Sequence, residues 1–340
     1  MVFSLKVLLL GYYGYGNYGD ELMRLGITDF LKKFNIQYVT ALPKRISKDT
    51  ISRFNIFEIL EYIYDSDAVI YGGGGLLQDI TSTRSFLYYA SVINLSLIMR
   101  TPVILFGNSI GPVKKKGNRI LLRNILKNKN TFLFARDVVS YKYGLCLNKS
   151  TELSCDPSIR YLRKFLSVEE FKSKNFDKTY DLLLVPKNNK KDIEEYSVLN
   201  NYFKNIIIAP AQRTDMEISK KLAKKLECEL FEDIEDVDKF TSLILSSKFV
   251  ISERFHPVVV ASYYGIPFIS LENSKSQRFF RKYTNRKEFF AKNLIDIEKR
   301  LVPILNEPLK LNEIMDKECD ESYKKLYKTL LRATSNIIYK

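Results

Sequence analysis

Short apolar runs separated by amphipathic stretches recur along the whole chain. KVLLLG opens the series and is followed by a glycine loop and a segment with helical spacing, DELMRLGITDFLKKF. Next come IQYVTAL, a helical segment around ISRFNIFEILEYIYDS, and the run DAVIYGGG. A long helical segment, SFLYYASVINLSLIMR, leads to TPVILFGNSIGP, and a basic helix precedes TFLFARD. SYKYGLCLN reads as a helix with a glycine exit, and STELSCDPS as a short strand. Continuous apolar runs that alternate with helices predict parallel strands covered on both faces, hence an α/β fold.

The pattern pauses between about Tyr161 and Lys178, a charged stretch poor in periodic apolar positions that reads as a linker. It restarts with DLLLVPK, NIIIAPA, a helix through EISKKLAKKL, ECELFE, a helix at VDKFTSLILSS, KFVISERFH and PFISLE. Two similar halves predict two Rossmann-like domains facing across a cleft, over residues 1–165 and 178–305. The lysine-rich segment 306–340 is expected to be helical, packing outside or crossing back to the first domain. A length of 340 residues suits two domains.

Composition narrows the setting. No apolar run approaches the roughly 20 residues that span a bilayer, and the opening MVFSLKVLLLGYY is too short for a convincing signal peptide. Cys146, Cys155, Cys228 and Cys319 lack C-x-x-C spacing, which argues against a zinc site or a disulfide framework and for a cytoplasmic setting. The net charge of +15 would attract nucleic acid, an anionic membrane surface or phosphorylated small molecules. A solvated lysine coat accounts for it equally well. The aromatic residues recur inside apolar runs rather than in the paired motifs of an RNA-recognition sheet.

The loop GYYGYGNYGDE contains G-x-G-x-x-G at Gly14, Gly16 and Gly19, the dinucleotide fingerprint. A nicotinamide site also needs an acidic residue at the end of the second strand, and that strand ends instead in Pro43, Lys44 and Arg45. Asp20 and Glu21 either cap the following helix or, lying at a strand's C-terminal end, serve a ligand. YGGGGLLQD places Gly72 to Gly75 after a strand, where backbone must pass close to a ligand or to the first loop, with Gln78 and Asp79 opening the next helix. FGNSIGP ends another strand with Asn108 and Ser109. FARD ends one with Arg136 and Asp137, which alone would read as a structural ion pair. SERFHP carries the chain's single histidine, His256, after Arg254, and Lys275 follows the strand PFISL. All of these sit at predicted strand ends, where open α/β sheets bind ligands. No nucleophile elbow, P-loop or H-E-x-x-H is present.

In this order GYYGYGNYGDE, YGGGGLLQD-x-TS, FGNSIGP, ARD-x-x-S and SERFHP resemble the motifs of the polysaccharide pyruvyl transferases. The resemblance implies a GT-B-like arrangement of two Rossmann-like domains. It also implies transfer of the enolpyruvyl group of phosphoenolpyruvate to a sugar hydroxyl pair, giving a pyruvate ketal and phosphate. By motif, the family's catalytic aspartate falls on Asp20, the arginine of its R-D motif on Arg136, and its R-L-H on Arg254, Phe255 and His256, with Lys275 as the lysine after the next strand. Gly16, Asn17, Gly73, Gly74, Gln78, Asn108, Ser109 and Phe255 are expected to join Arg254 and Lys275 in binding substrate. Asn108 stands where a glutamine is usual, and Phe255 where leucine is.

On this reading the guanidinium groups of Arg136, counted among the catalytic residues, and Arg254, supported by Lys275, hold the phosphate and carboxylate of the donor. His256 protonates the methylene carbon, Asp20 takes a hydroxyl proton, and the chemistry needs neither metal nor cofactor. The acceptor is expected to be a cell-wall or other surface glycan, with a lipid pyrophosphate carrier and contact with the inner membrane face as natural extensions. A nucleotide-sugar glycosyltransferase of GT-B architecture and a basic nucleic-acid-binding protein are the rival readings. The second ranks far behind, since strand-end Gly, Asp, Arg and His do not need nucleic acid.

Overall fold

The computed structural model describes residues 5–173, 178–188, 192–295 and 297–335. The chain divides into two compact units, one comprising Met1–Gly14, Leu22–Tyr161 and Asp316–Lys340, the other Tyr15–Glu21 and Leu162–Met315. Among the described residues no helix is long and apolar enough to cross a membrane.

The first unit is built from β1 (Lys6–Leu10), α1 (Tyr18–Lys33, shared in its first turn with the second unit), β2 (Gln37–Leu42), β3 (Thr50–Ser52), α2 (Ile56–Asp65) and β4 (Ala68–Gly74). It continues through α3 (Thr83–Ile98), β5 (Val103–Asn108), α4 (Lys116–Lys127), β6 (Thr131–Ala135), α5 (Val138–Leu145), β7 (Thr151–Leu153) and the start of α6 (Ser158–Phe165). The strands form one parallel sheet ordered β3-β2-β1-β4-β5-β6-β7. Its central strands are buried along nearly their whole length, which is why they read as unbroken apolar runs.

The second unit holds α7 (Val168–Ser173), β8 (Tyr180–Val185), β9 (Ile206–Ile208), α8 (Met216–Leu226), β10 (Glu229–Leu230), α9 (Val237–Leu245) and β11 (Ser247–Ser252). It ends with α10 (Phe255–Tyr264), β12 (Phe268–Leu271), α11 (Ser274–Phe280), β13 (Phe290–Ala291) and α12 (Ile297–Asn306). Its sheet is also parallel, ordered β10-β9-β8-β11-β12-β13. Both orders run outward, return to the first strand and continue on its other side, the doubly wound pattern with a switch point beside that strand.

Several details depart from the sequence reading. The expected linker is largely helical where described: Leu162 in α6, Leu166 between the helices and Val168 in α7 are buried, and only residues 174–177 of it lie outside the described residues. Apolar positions this sparse give little periodic signal, yet these three anchors suffice to seat two short helices. The segment ISRFNIFEILEYIYDS is not one helix but contains the end of β3 and then α2. Gln78 and Asp79 precede rather than open α3, whose cap is Ser82. The basic pair Lys190–Lys191 lies outside the described residues.

The last helix, α13 (Asn312–Ser335), belongs to the first unit from Asp316 onward. There Tyr323 packs at 5.0 Å on Phe30 and 4.9 Å on Phe106, Tyr327 stacks 4.5 Å from Phe34, and the Ser322 hydroxyl accepts from the Cys155 amide at 2.9 Å.

Candidate active site

The first glycine loop divides at Gly14: from Tyr15 to Glu21 it belongs to the second unit. Asn17 caps α1, its Oδ1 accepting from the amides of Gly19 (3.1 Å) and Asp20 (3.3 Å), while its Nδ2 donates to Gln212 Oε1 at 2.9 Å. Asn17, not Asp20, therefore performs the capping, and Asp20 and Glu21 stand in the first turn, where the helix dipole favours carboxylates. Tyr18 is buried, stacks on Phe240 at 4.3 Å, and its amide donates to the Ala211 carbonyl at 2.9 Å. Thr241 donates its own hydroxyl proton to the Val237 carbonyl, so the Tyr18 hydroxyl is the donor in the 2.9 Å bond between them. Burial holds the Tyr18 phenol well above its ordinary range.

This docking brings the loop to the SERFHP turn. A Cβ added to Gly19 would overlap Nδ1 of His256, so the backbone there must lie directly against the imidazole, and only glycine permits it. Gly16 faces the Arg213 side chain. His256 stands in the first turn of α10, half-buried, with Arg254 at the N-cap position.

Arg254 is held from behind by a residue outside the sequence reading. Asp215, fully buried on the 3₁₀ turn Arg213–Asp215 after β9, accepts from Arg254 Nε at 2.8 Å and from its terminal nitrogen at 2.5 Å. The Asn188 amide adds a third bond to the same carboxylate at 3.0 Å. A two-point grip fixes the guanidinium plane, and the Arg254 side chain remains about a fifth exposed (21%). Glu253, also buried, accepts from the Tyr196 hydroxyl and the Lys187 amide, each at 2.7 Å. Burial, then the nearby Glu253 carboxylate, raises the Tyr196 phenol. Asn273 bonds the Glu253 carbonyl at 2.9 Å through Nδ2 and caps α11 through Oδ1, accepting from the Lys275 amide at 3.0 Å. Asn273 thus ties the start of α11, where Lys275 stands, to the backbone just before Arg254 and His256. Phe255 points inward, 6% exposed, edge-on to Phe279 at 5.1 Å and to the His256 ring at 4.8 Å.

The remaining candidates lie in the first unit, at the C-terminal ends of β4, β5 and β6. Gly73 has φ +69°, and a Cβ there would overlap Met23 Sδ. Gly74 accepts at its carbonyl from the Ser109 amide at 2.9 Å. Asn108, fully buried, turns its amide onto the carbonyls of Tyr71 (2.7 Å) and Phe106 (3.2 Å). Arg136, 2% exposed, donates to Asp156 at 2.6 Å and to Ser109 Oγ at 3.0 Å. Asp156 also accepts from the Ser158 amide (3.0 Å) and hydroxyl (2.6 Å). Asp137 caps α5, accepting from the Ser140 amide at 2.9 Å. Gln78 folds over its own loop, accepting from the amides of Ile80 and Thr81. Asp79 accepts from the amides of Lys114 (2.7 Å) and Lys115 (3.0 Å) and from Asn118 Nδ2 (2.9 Å), contacts that hold its carboxyl below the usual range.

The structure therefore groups Gly16, Asn17, Asp20, Arg254, Phe255, His256 and Lys275 in one unit, and Gly73, Gly74, Gln78, Asn108, Ser109 and Arg136 in the other. Asp215 and Asp156 were missed by sequence reasoning. Asp215 could have been found, since APAQRTD is itself a strand-end loop; Asp156, in CDPS, carried no comparable signal.

A family model described as polysaccharide pyruvyl transferase matches residues 17–275. No curated protein matches the sequence. Among solved structures, UDP-GlcNAc 2-epimerase from Methanocaldococcus jannaschii is 15% identical with a TM-score of 0.61, covering 96% of this chain and 99% of its own. UDP-GlcNAc 2-epimerase from Neisseria meningitidis, bound to UDP-GlcNAc, is 14% identical with a TM-score of 0.55, covering 96% and 100%. The wall teichoic acid polymerase TagF is 10% identical with a TM-score of 0.58, covering 98% and 89%. At these identities the likeness concerns the fold alone: two parallel-sheet α/β domains of the kind found in GT-B proteins.

Proposed function

Because the chain belongs to the polysaccharide pyruvyl transferase family, we propose that it transfers the enolpyruvyl group of phosphoenolpyruvate to two hydroxyls of a glycan, forming a pyruvate ketal and releasing phosphate. One observation carries this reading: the glycine loop bearing Asp20 is packed against His256, next to an arginine whose plane a buried aspartate fixes.

The donor presents two anionic groups. Arg254, aimed by Asp215, and Lys275 are the cations proposed to hold them. His256, protonated beside the phosphate, gives its proton to the methylene carbon, and the positive charge that develops at the adjacent carbon is attacked by the first hydroxyl. Asp20 takes that hydroxyl's proton. The second hydroxyl then forms the other carbon–oxygen bond as the carbon–oxygen bond to phosphate breaks. Its proton restores His256, and the first leaves with phosphate. The positive end of α10 steadies negative charge at its first turn. Arg136, engaged by Asp156 and Ser109, is proposed to shape the β6 end rather than to hold the donor directly.

The glycan is proposed to be a cell-surface polysaccharide precursor on a lipid pyrophosphate at the inner membrane face, an assignment the charge of +15 suits. Incubation with phosphoenolpyruvate and sugar acceptors, following phosphate release and the new ketal methyl signal, tests the reaction. His256→Ala should abolish turnover and leave the fold intact. Release of a nucleoside diphosphate from a nucleotide sugar, without turnover of phosphoenolpyruvate, would replace this reading by glycosyl transfer.

A further inference from the structure

Three large apolar side chains flanking β3 are left uncovered by the core of the first unit. Ile46 is 77% exposed, Phe54 67% and Phe57 80%. Such exposure does not come from slack chain. Thr50 Oγ1 accepts from the amides of Ile46 (3.0 Å) and Ser47 (2.9 Å), fixing the loop before β3. Ser52 Oγ donates to the Pro43 carbonyl at 3.5 Å, which sets the start of that loop beside the end of β3, two residues before Phe54. Arg53, buried between them, donates to the Gly11 carbonyl at 3.0 Å and lies 4.6 Å over the Tyr88 ring. Asn55 caps α2 by accepting from the Phe57 amide at 3.2 Å. Hydrogen bonds thus hold the chain around these residues, with Ile46 exposed in the β2–β3 loop, Phe54 just after β3 and Phe57 in the first turn of α2, and Arg53 ties this stretch to Gly11, where the glycine loop begins.

Lys44, Arg45 and Lys48, all exposed, stand in the same loop as Ile46. Large apolar side chains set among cations on a rigid surface match the boundary of an anionic bilayer, where rings enter the headgroup layer and ammonium and guanidinium groups meet lipid phosphates. A second copy of the chain fits poorly, because a two-fold contact would press these cations against their own equivalents. We propose that this surface docks the protein on an anionic phospholipid bilayer and so brings the first unit's strand-end rim to a membrane-held acceptor. The proposal rests on the lipid-linked acceptor of the preceding section and names the surface that reaches it.

Sedimentation of the full chain with vesicles tests it. The wild type should bind vesicles containing phosphatidylglycerol and not vesicles of phosphatidylcholine alone. Phe54→Ser/Phe57→Ser should weaken partitioning at least about tenfold, as expected for withdrawing apolar area from the interface. Lys44→Gln/Arg45→Gln/Lys48→Gln should weaken it by about fivefold per charge, with a shallower salt dependence. Both variants should keep the wild-type melting temperature and the wild-type rate of phosphate release with a water-soluble acceptor. Wild type that stays in the supernatant with anionic vesicles, or variants that sediment as the wild type does, would overturn the proposal. So would variants that change the mass in light scattering and leave vesicle binding untouched, a result assigning the surface to a second copy. Normal turnover without vesicle binding counts against the surface alone; vesicle binding lost in the variants, with no turnover of phosphoenolpyruvate by any form, counts against the proposed reaction alone.

Discussion

Gly19 lies flat against the imidazole of His256, with no room for even a methyl group between Cα and Nδ1. Gly19→Ala must displace the ring or the start of α1. We expect a stability loss of about 1–3 kcal/mol from overpacking and a fall in turnover of about a hundredfold from a misplaced acid. Gly117→Ala, in the first turn of α4 with nothing within 4 Å, is the control: it should leave turnover unchanged and cost no stability. Urea unfolding and phosphate release report the two effects. A Gly19→Ala enzyme with full activity would show that His256 does not need its present position.

Arg254 and Asp215 separate stability from binding. Arg254→Met leaves a fully buried carboxylate without its main partner, and its cost should be about 3–5 kcal/mol. Arg254→Met/Asp215→Leu should recover much of that loss in urea unfolding. The donor's KM should remain raised in both, because the guanidinium is gone from each. Recovery of KM along with stability would remove Arg254 from the binding site.

Arg136 and Asp156 form a more deeply buried pair in the first unit. Arg136→Lys cannot reach Ser109 and Asp156 together, and a destabilisation of about 2 kcal/mol or more should follow. Turnover per folded molecule should then fall little. A variant as stable as the wild type but inactive would return Arg136 to the role its motif suggests.

Asp79 gives an acid-side signature. Contacts led by the Lys114 amide lower its folded pKa, so its contribution is present above the unfolded value of about 3.9 and is lost as pH falls through the folded value. Asp79→Asn should therefore melt below the wild type at pH 7, and the two curves should converge below about pH 4. A gap that persists unchanged into acid would mean that shape rather than charge holds the 112–118 loop.

The sheets were legible because parallel strands buried on both faces show as unbroken apolar runs, as KVLLL and FVI do. The adjacency of Arg254 and His256 was legible for a related reason: both follow directly on an apolar run at its C-terminal end, where open α/β sheets present their loops. Partners were harder. Nothing local pairs Asp215 with Arg254 or Asp156 with Arg136, since each bond joins separate elements of the chain. Asn108, which with Ser109 stands between glycines, carried no sign in the sequence that its amide serves the carbonyls of its own sheet.

The two folding units are not successive lengths of polypeptide. A gene cut near residue 165 would strip Tyr323 and Tyr327 from Phe30, Phe34 and Phe106, and would deprive Phe240 of Tyr18. Neither fragment would inherit a finished interior, so dissection into halves should yield aggregates. During synthesis the same weave sets a timetable: the earliest sheet is laid down first, yet its back stays open until the closing helix leaves the ribosome.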